Sequence, residues 1–217
     1  MKRLDLVVGP NGAGKSTFIA LVLAPLLPGS VIVNADEIAR RNWPGDSEAH
    51  SYEAARIAAA TRSALVEQGC TFIAETVFSH PSKLDLLDQA HLRGYTVVVH
   101  ALLIPEELAV ERVARRVSAG GHRVPEVKIR QRYRRLWSLV VTALERADLA
   151  TVYDNSKIRG PRTCARMAAG QIIGAPVWPV WAPAPLTSRW ALRAVAAGAP
   201  TWPGRTRDAD IAYYEGL

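Results

Sequence analysis

The sequence predicts a three-layer α/β protein built on a mostly parallel central sheet. Three observations carry that prediction. Strand-like and helix-like segments alternate from Leu4 to Tyr153. The segment Tyr95–Leu103, with TVVV at its heart, is almost continuously apolar, which suits a strand covered on both faces. The stretch VVGPNGAGKSTF, Val7–Phe18, sets a glycine-rich turn between a strand and a helix.

Each element has its own warrant. Leu4–Val8 is a short apolar run ending at a glycine, read as the first strand. Gly14–Ala24 follows as a helix, expected to stop near Pro25 and Pro28 because proline has no N–H to give. Val31–Val33 is the second strand. Ser47–Gln68 has helical spacing at Tyr52, Ala55, Ala59 and Leu65, and Gly69 closes it. Thr71–Ala74 is the third strand, Pro81–Arg93 a helix closed by Gly94, and Tyr95–Leu103 the fourth strand. Pro105 opens a helix with Glu106 and Glu107 in its first turn, where the dipole favours acids. That helix runs to about Ser118 and stops at Gly120–Gly121. Pro125 opens another, with Ile129, Tyr133, Leu136, Trp137, Val140 and Leu144 forming one buried stripe. Leu149–Tyr153 is the last core strand. Beyond Arg162 a β-hairpin is expected around Ala169–Gly170 and a helix over Leu186–Ala197; the final stretch reads as loose.

Composition bounds the class. At 217 residues, 49% hydrophobic and 22% charged, the chain is long and apolar enough to bury a sizeable core. Cys70 and Cys164 lie far apart in no metal-binding pattern, so they read as buried thiols of a reducing cytosol. No apolar run approaches a membrane span, and the first strand begins too early for a signal peptide, so a cytoplasmic location without membrane contact is expected. The net charge of +7 is local. Glu111–Arg135 holds eight Arg, one Lys and two Glu, which account for all of it. Such a cluster suits a phosphate-bearing ligand, and RNA remains an alternative.

Gly9, Gly14, Lys15 and Ser16 satisfy G-x-x-x-x-G-K-[ST], with a strand before and a helix after. The fold class is therefore the P-loop nucleoside-triphosphate-hydrolase or kinase fold, with a small C-terminal hairpin and helix extension. Gly9, Asn11, Gly12, Ala13, Gly14, Lys15, Ser16 and Thr17 are the expected ATP-binding residues. Glycines let the backbone wrap phosphate oxygens, Lys15 reaches the β- and γ-phosphates, and the Ser16 hydroxyl is placed for Mg²⁺. The GxGxxG dinucleotide fingerprint is not present. The nucleotide-binding core is assigned to 1–160, with an arginine-rich lid around 111–135, and the extension to 161–217.

Other uses of the triphosphate fit less well. VSAGGH, Val117–His122, faintly resembles the signature loop of ABC-type ATPases, but a basic helix follows where a long apolar strand ending in acids belongs. YDNSK, Tyr153–Lys157, is no guanine-reading loop. A kinase needs a base, a metal and cations around the moving phosphoryl group. Asp36 follows the second strand and Glu75 ends the third, at the carboxyl edge where open α/β sheets bind ligands. One can take the acceptor proton; the other can hold the metal or grip the acceptor. Against this, Asn34 and Glu37 resemble a helix capping box that leaves Asp36 a dipole partner only, and Glu75 can be a solvated strand end. Arg112 and Arg116 share a helix face, Arg115 is expected to pair with Glu111, and Arg123 follows a glycine pair that suits a lid hinge. Arg134 and Arg135 read as surface.

Taken together, GPNGAGKST, NADEIA, ETVFS, RVARRVSAGGHRVPEVKIRQRY and YDNS resemble the zeta-toxin-like P-loop kinases, over about Leu4–Ser156. More narrowly they resemble the short bacterial branch labelled predicted ABC-type ATPases. The resemblance implies a kinase that phosphorylates a sugar hydroxyl of UDP-N-acetylglucosamine and is restrained by an antitoxin. It implies ATP·Mg²⁺ at Lys15 and Ser16, Asp36 as general base, and Glu75 with the neighbouring Thr76 at the acceptor. It also implies a clamp on the phosphates from the Arg112–Arg116 helix and near Arg123, with Arg116 and Arg123 catalytic and Arg112 on the substrate. A nucleoside, nucleotide or antibiotic kinase, an RNA-binding ATPase, and a nucleotide-binding regulator without chemistry are the alternatives.

Overall fold

The computed structural model describes residues 2–118 and 124–191. Its centre is β1 (Arg3–Val8), buried on five of six residues, as only a strand inside a doubly covered sheet can be. β4 (Thr96–Leu103) is buried on all but its first residue. With β2 (Val31–Asn34), β3 (Phe72–Thr76) and β5 (Leu149–Asp154) these form parallel neighbours in the order β2-β3-β1-β4-β5. β6 (Arg162–Ala168) and β7 (Gln171–Ile173) form the hairpin expected around Ala169–Gly170 and extend the same sheet antiparallel. Both sheet edges are exposed: Val31 and Ile32 on β2 and Ile173 on β7 are about half open to solvent. Every parallel strand therefore delivers its last residues to one edge.

Helices differ from expectation in three informative places. The helix after the P-loop ends at Leu26, between Pro25 and Pro28 as expected, but it is not α-helical throughout. It runs as α1 (Lys15–Phe18), a π-helical turn (Ile19–Leu23) and α2 (Ala24–Leu26). Pro25 removes one N–H and crowds the preceding carbonyls, and the wider π turn is how the helix passes it. Between β2 and the next long helix the structure adds α3 (Ala35–Asn42), which has only Ala39 buried and so leaves little apolar periodicity to read. α4 (Ser51–Gln68) starts four residues later than expected and buries Ala54, Ala58, Arg62 and Val66, whereas Tyr52 is 88% exposed. Small alanines make the close approach to the sheet, and an arginine on the same line disguises the stripe.

The rest follows the pattern. A 3-10 turn at Pro81–Lys83 leads into α5 (Asp85–Leu92). α6 (Glu106–Ser118) and α7 (Glu126–Arg146) have the expected proline starts, and all six stripe residues of α7 are buried. Tyr133 within it donates to the Ile104 carbonyl at 2.9 Å, and burial pushes its hydroxyl up to about 12. α8 (Ala184–Arg189) is shorter than the helix expected over Leu186–Ala197, of which 192–197 lie outside the described residues. Both cysteines are free; Cys164 is buried as expected, Cys70 only half-buried. No described helix is long and apolar enough to cross a membrane.

One charged cluster supports the sheet beneath the P-loop. Asp5, fully buried on β1, bonds His100 Nε2 at 2.9 Å and the Arg3 guanidinium at 2.6 and 2.8 Å. Burial pushes the Asp5 carboxyl up, but bonds and charge from His100 and Arg3 outweigh it and hold the group below its usual 3.8. A depressed acid stabilises the fold fully above pH 3.8 and loses that contribution as pH falls through its folded value. Asp5→Asn is therefore expected to cost about 3–5 kcal/mol at pH 7, because the Arg3 guanidinium loses its anion and the His100 ring loses a charged hydrogen-bond partner. Its stability should also vary less with pH below 3.8 than that of the wild type. Urea unfolding at pH 7 and pH 3 reads both; a variant as stable as wild type at pH 7 refutes the assignment.

Candidate functional site

The P-loop is fitted so closely that its glycines are required. A Cβ on Gly9 would lie 2.6 Å from the Leu102 carbonyl oxygen, and one on Gly14 would lie 2.8 Å from Asn155 Nδ2. Gly12, at φ +75°, would push a Cβ to 2.9 Å from the Ala109 carbonyl. The loop is thus pressed against the ends of β4 and β5 and against α6. Asn155 Nδ2 donates to the Ala13 carbonyl at 2.7 Å and locks it there. Asn11 is buried, and its Oδ1 has no hydrogen-bond partner among the described residues.

Lys15 opens α1 and is only 7% exposed. Its ammonium donates to the Pro10 carbonyl at 3.0 Å, and the nearest carboxylate oxygen, Glu75 Oε1, is 4.0 Å away. Burial pulls its pKa down, and Glu75 and then Asp36 pull it back up. A buried ammonium held so loosely is arranged for an incoming anion, not for a structural pair.

The two strand-end carboxylates have separate places. Glu75 Oε2 accepts from the Ser16 hydroxyl at 2.8 Å and from Asn34 Nδ2 at 2.7 Å. Asn34 also caps α3, its Oδ1 accepting from the backbone N–H groups of Asp36 at 2.8 Å and Glu37 at 3.3 Å. Only that half of the expected capping box forms, since Glu37 turns instead to Arg40 at 2.5 Å. Asp36 is exposed, and its carboxylate makes no hydrogen bond or ion pair among the described residues. Thr76 faces the opposite side of β3 from Glu75, toward α4 and α5. Ser16 and Glu75 set two hard oxygen donors together, the chemistry that suits Mg²⁺ with few protein ligands. Among the described residues, no cluster of three or more metal-ligating side chains competes with them.

The arginine-rich segment sorts itself by partner. Arg115 pairs with Glu111 at 2.5 Å, as the spacing predicts. Arg130 is held by Glu107, Glu126 and Glu106 at 2.6, 2.8 and 3.3 Å, and its bonds to Glu107 and Glu126 raise its pKa. Arg134 lies 3.8 Å from Glu106 and is exposed, as is Arg135. Arg112 spends its guanidinium on backbone, donating to the carbonyls of Asn155 at 3.0 Å, Ser156 at 3.1 Å and Gly12 at 3.4 Å. It ties α6 to the P-loop. The charges of Arg116 and Arg132 both reach Lys15 and oppose its protonation. Arg132 is half-buried on α7 and makes no ion pair among the described residues. Arg123 and the Gly120–Gly121 pair lie outside the described residues.

Three residues of this site were not singled out from sequence. Asn34 was visible only as a cap, and Asn155 only as part of YDNS. Arg132 flanks the α7 stripe, three residues after Ile129 and four before Leu136, and that flank position is the signal that finds it.

A Walker-type loop beside strand-end carboxylates, on a parallel sheet ordered β2-β3-β1-β4-β5, defines the class: this is a P-loop kinase fold. Residues 1–159 match the Zeta toxin family, and the chain belongs to that family. No curated protein sequence matches it. Among solved structures it is similar to the AvrRxo1-ORF1:-ORF2 complex with ATP, with a TM-score of 0.63 and 14% identity over 80% of this chain. The match spans 60% of that structure's chain, so the fold is shared and the length is not. It is also similar to the PezAT chromosomal toxin-antitoxin system of Streptococcus pneumoniae, with a TM-score of 0.59 and 13% identity over 83% of this chain and 81% of that one. A third likeness is to the Pnkp1/Rnl/Hen1 RNA repair complex, with a TM-score of 0.53 and 24% identity over 64% of this chain and 45% of that one.

Proposed function

We propose that the protein is an ATP-dependent phosphotransferase that moves the γ-phosphate to a hydroxyl of a small acceptor, with UDP-N-acetylglucosamine the first candidate. The observation that carries this reading is the division of labour between the two carboxylates. Glu75 is committed to Ser16 and Asn34, while Asp36 stands exposed and unbonded at the end of β2, within Coulomb reach of Lys15. A motor or switch ATPase has no need of a free carboxylate there; a kinase needs one to take the acceptor proton.

In this reading Lys15 and the P-loop N–H groups hold the β- and γ-phosphates. Mg²⁺, bound through Ser16 and Glu75, would neutralise charge on the phosphates. Asp36 orients the acceptor hydroxyl and accepts its proton. Arg116, with Arg132, balances charge on the moving phosphoryl group, and Arg112 and Asn155 keep the loop in position. Arg123 is proposed with the lid, and Thr76 with the acceptor. The RNA-binding alternative is weakened because Arg115, Arg130 and Arg134 face acidic partners, which interrupts the basic surface among the described residues. Membership of the Zeta toxin family supports a proteinaceous antitoxin as partner and a cytoplasmic site of action.

The test is transfer of label from γ-labelled ATP with Mg²⁺, with and without UDP-N-acetylglucosamine. Asp36→Asn is expected to lower kcat by about 10²–10⁴-fold while nucleotide affinity is kept. Wild-type rates in that variant sink Asp36 as the base. ATP turnover without labelled sugar nucleotide retires that acceptor and leaves the phosphotransferase to be tested on other hydroxyls.

A further inference from the structure

A second cationic site lies on the other face of the sheet from Lys15. Arg62, on α4, is 6% exposed and makes no hydrogen bond or ion pair among the described residues. A guanidinium with so little contact with water gains from an acceptor, because its partial desolvation is otherwise uncompensated. Lys83, at the end of the 3-10 turn, lies within Coulomb reach of it. Burial pushes both pKa values down, and the charge of Arg62 pushes that of Lys83 down further.

The two cations line one cleft of about 200 Å³ between α4 and α5. Ser63, Thr76, Ser82 and Gln89 add hydroxyl and amide groups to its wall. Asp85 also lines it, yet no ion pair joins Asp85 to either cation. Phe78 supplies an apolar wall; it is buried at φ +63°, a conformation costly for a bulky side chain, and its N–H bonds Thr76 Oγ1 at 3.3 Å. Strain of that kind persists only where the surroundings fix it. Thr76 ends β3 directly after Glu75, so one wall of the cleft is built from the strand end that carries the site carboxylate. A space this small suits a compact anionic group rather than a whole nucleotide.

We propose that this cleft is an anion-binding subsite in which Arg62 and Lys83 take a phosphate group of the acceptor. The anion site stands on the cleft itself; its assignment to the acceptor rests on the phosphotransferase reading above. One buried and one half-buried cation with hydroxyl neighbours match a phosphate dianion. The acceptor class is thereby narrowed to phosphate-bearing hydroxyl compounds, and amine-rich cationic acceptors such as polyamine-like antibiotics are repelled.

The test is thermal unfolding of the whole protein, with the P-loop filled by a non-hydrolysable ATP analogue and Mg²⁺, while inorganic phosphate is titrated. A saturable rise in Tm is expected for wild type and its loss in Arg62→Met, which should melt at or above wild type without phosphate. Lys83→Met, at a partly exposed position, should lose the rise too and serves if Arg62→Met does not fold. A phosphate response equal in wild type and Lys83→Met, or an Arg62→Met that melts lower with its response intact, overturns the site and makes Arg62 a structural residue. In the transfer assay, Arg62→Met should raise KM for a phosphorylated acceptor at least tenfold. An unchanged KM with the Tm response lost in Arg62→Met overturns the acceptor assignment, the anion then being free phosphate. If the analogue itself gives no rise in Tm, the phosphotransferase reading is what fails, and the phosphate titration still reports on the cleft.

Discussion

Lys15→Met is expected to abolish the thermal shift on adding ATP·Mg²⁺ and to lower phosphoryl transfer by about 10³-fold, without destabilising the empty protein. The first half follows from position. Lys15 starts the helix behind a loop whose glycines leave no room for Cβ atoms, so its ammonium is the fixed charge facing the phosphates. The second half follows from its partners. In the empty protein the ammonium has one carbonyl at 3.0 Å and one carboxylate oxygen at 4.0 Å, too little to repay its burial. Removing it leaves Glu75 still bonded to Ser16 and Asn34, so no buried carboxylate is orphaned. Melting curves of both proteins, with and without nucleotide, decide the matter. A variant that melts several degrees lower when empty shows Lys15 to be a structural charge, and a variant that still responds to ATP removes it from the phosphate site.

What could be read from sequence was what chemistry keeps local. The P-loop is contiguous, and its glycines announce positive φ angles and close approach. The α7 stripe is periodic over six apolar residues, so the burial of all six was readable, and only the small Ala143 beside them was not singled out. α3 was missed because its eight residues bury only Ala39, and Asn34 was the one clue to its start. The stop near Pro25 and Pro28 was readable, but the π turn before it was not, because a rule about straight helices does not anticipate one. The contact between Glu75 and Ser16 joins residues 59 apart; strand alternation puts Glu75 and Thr76 on opposite faces without saying which face meets the P-loop. Arg62 lies four residues from both Ala58 and Val66, yet its charge argued for the surface, and only packing shows it buried. The same holds for the arginine segment, where a +7 cluster in sequence separates in space into paired, backbone-bound and site-facing groups.

That separation yields the second large effect. Arg116→Ala is expected to lower kcat by about 10³-fold or more, Arg132→Ala by less, and Arg130→Ala hardly at all. Arg116 and Arg132 both act on the charge of Lys15, so both lie within charge reach of the ammonium assigned to the γ-phosphate. Their mutual repulsion with Lys15 is relieved when that charge arrives, and it is greatest in the transition state, which is the condition for catalysis rather than uniform binding. Arg116 is exposed on α6, and its long side chain can reach a moving phosphoryl group, whereas Arg132 is held half-buried beside the α7 stripe and supplies a fixed field. Arg130 carries the same formal charge three carboxylates deep in partners, so its removal should touch stability more than rate. Single-turnover transfer by the three variants, with nucleotide affinity measured alongside, separates them. Equal small losses in all three would mean that the basic segment acts only as a diffuse field. A large loss at Arg130 would place the reacting phosphate near the start of α6 rather than at Lys15.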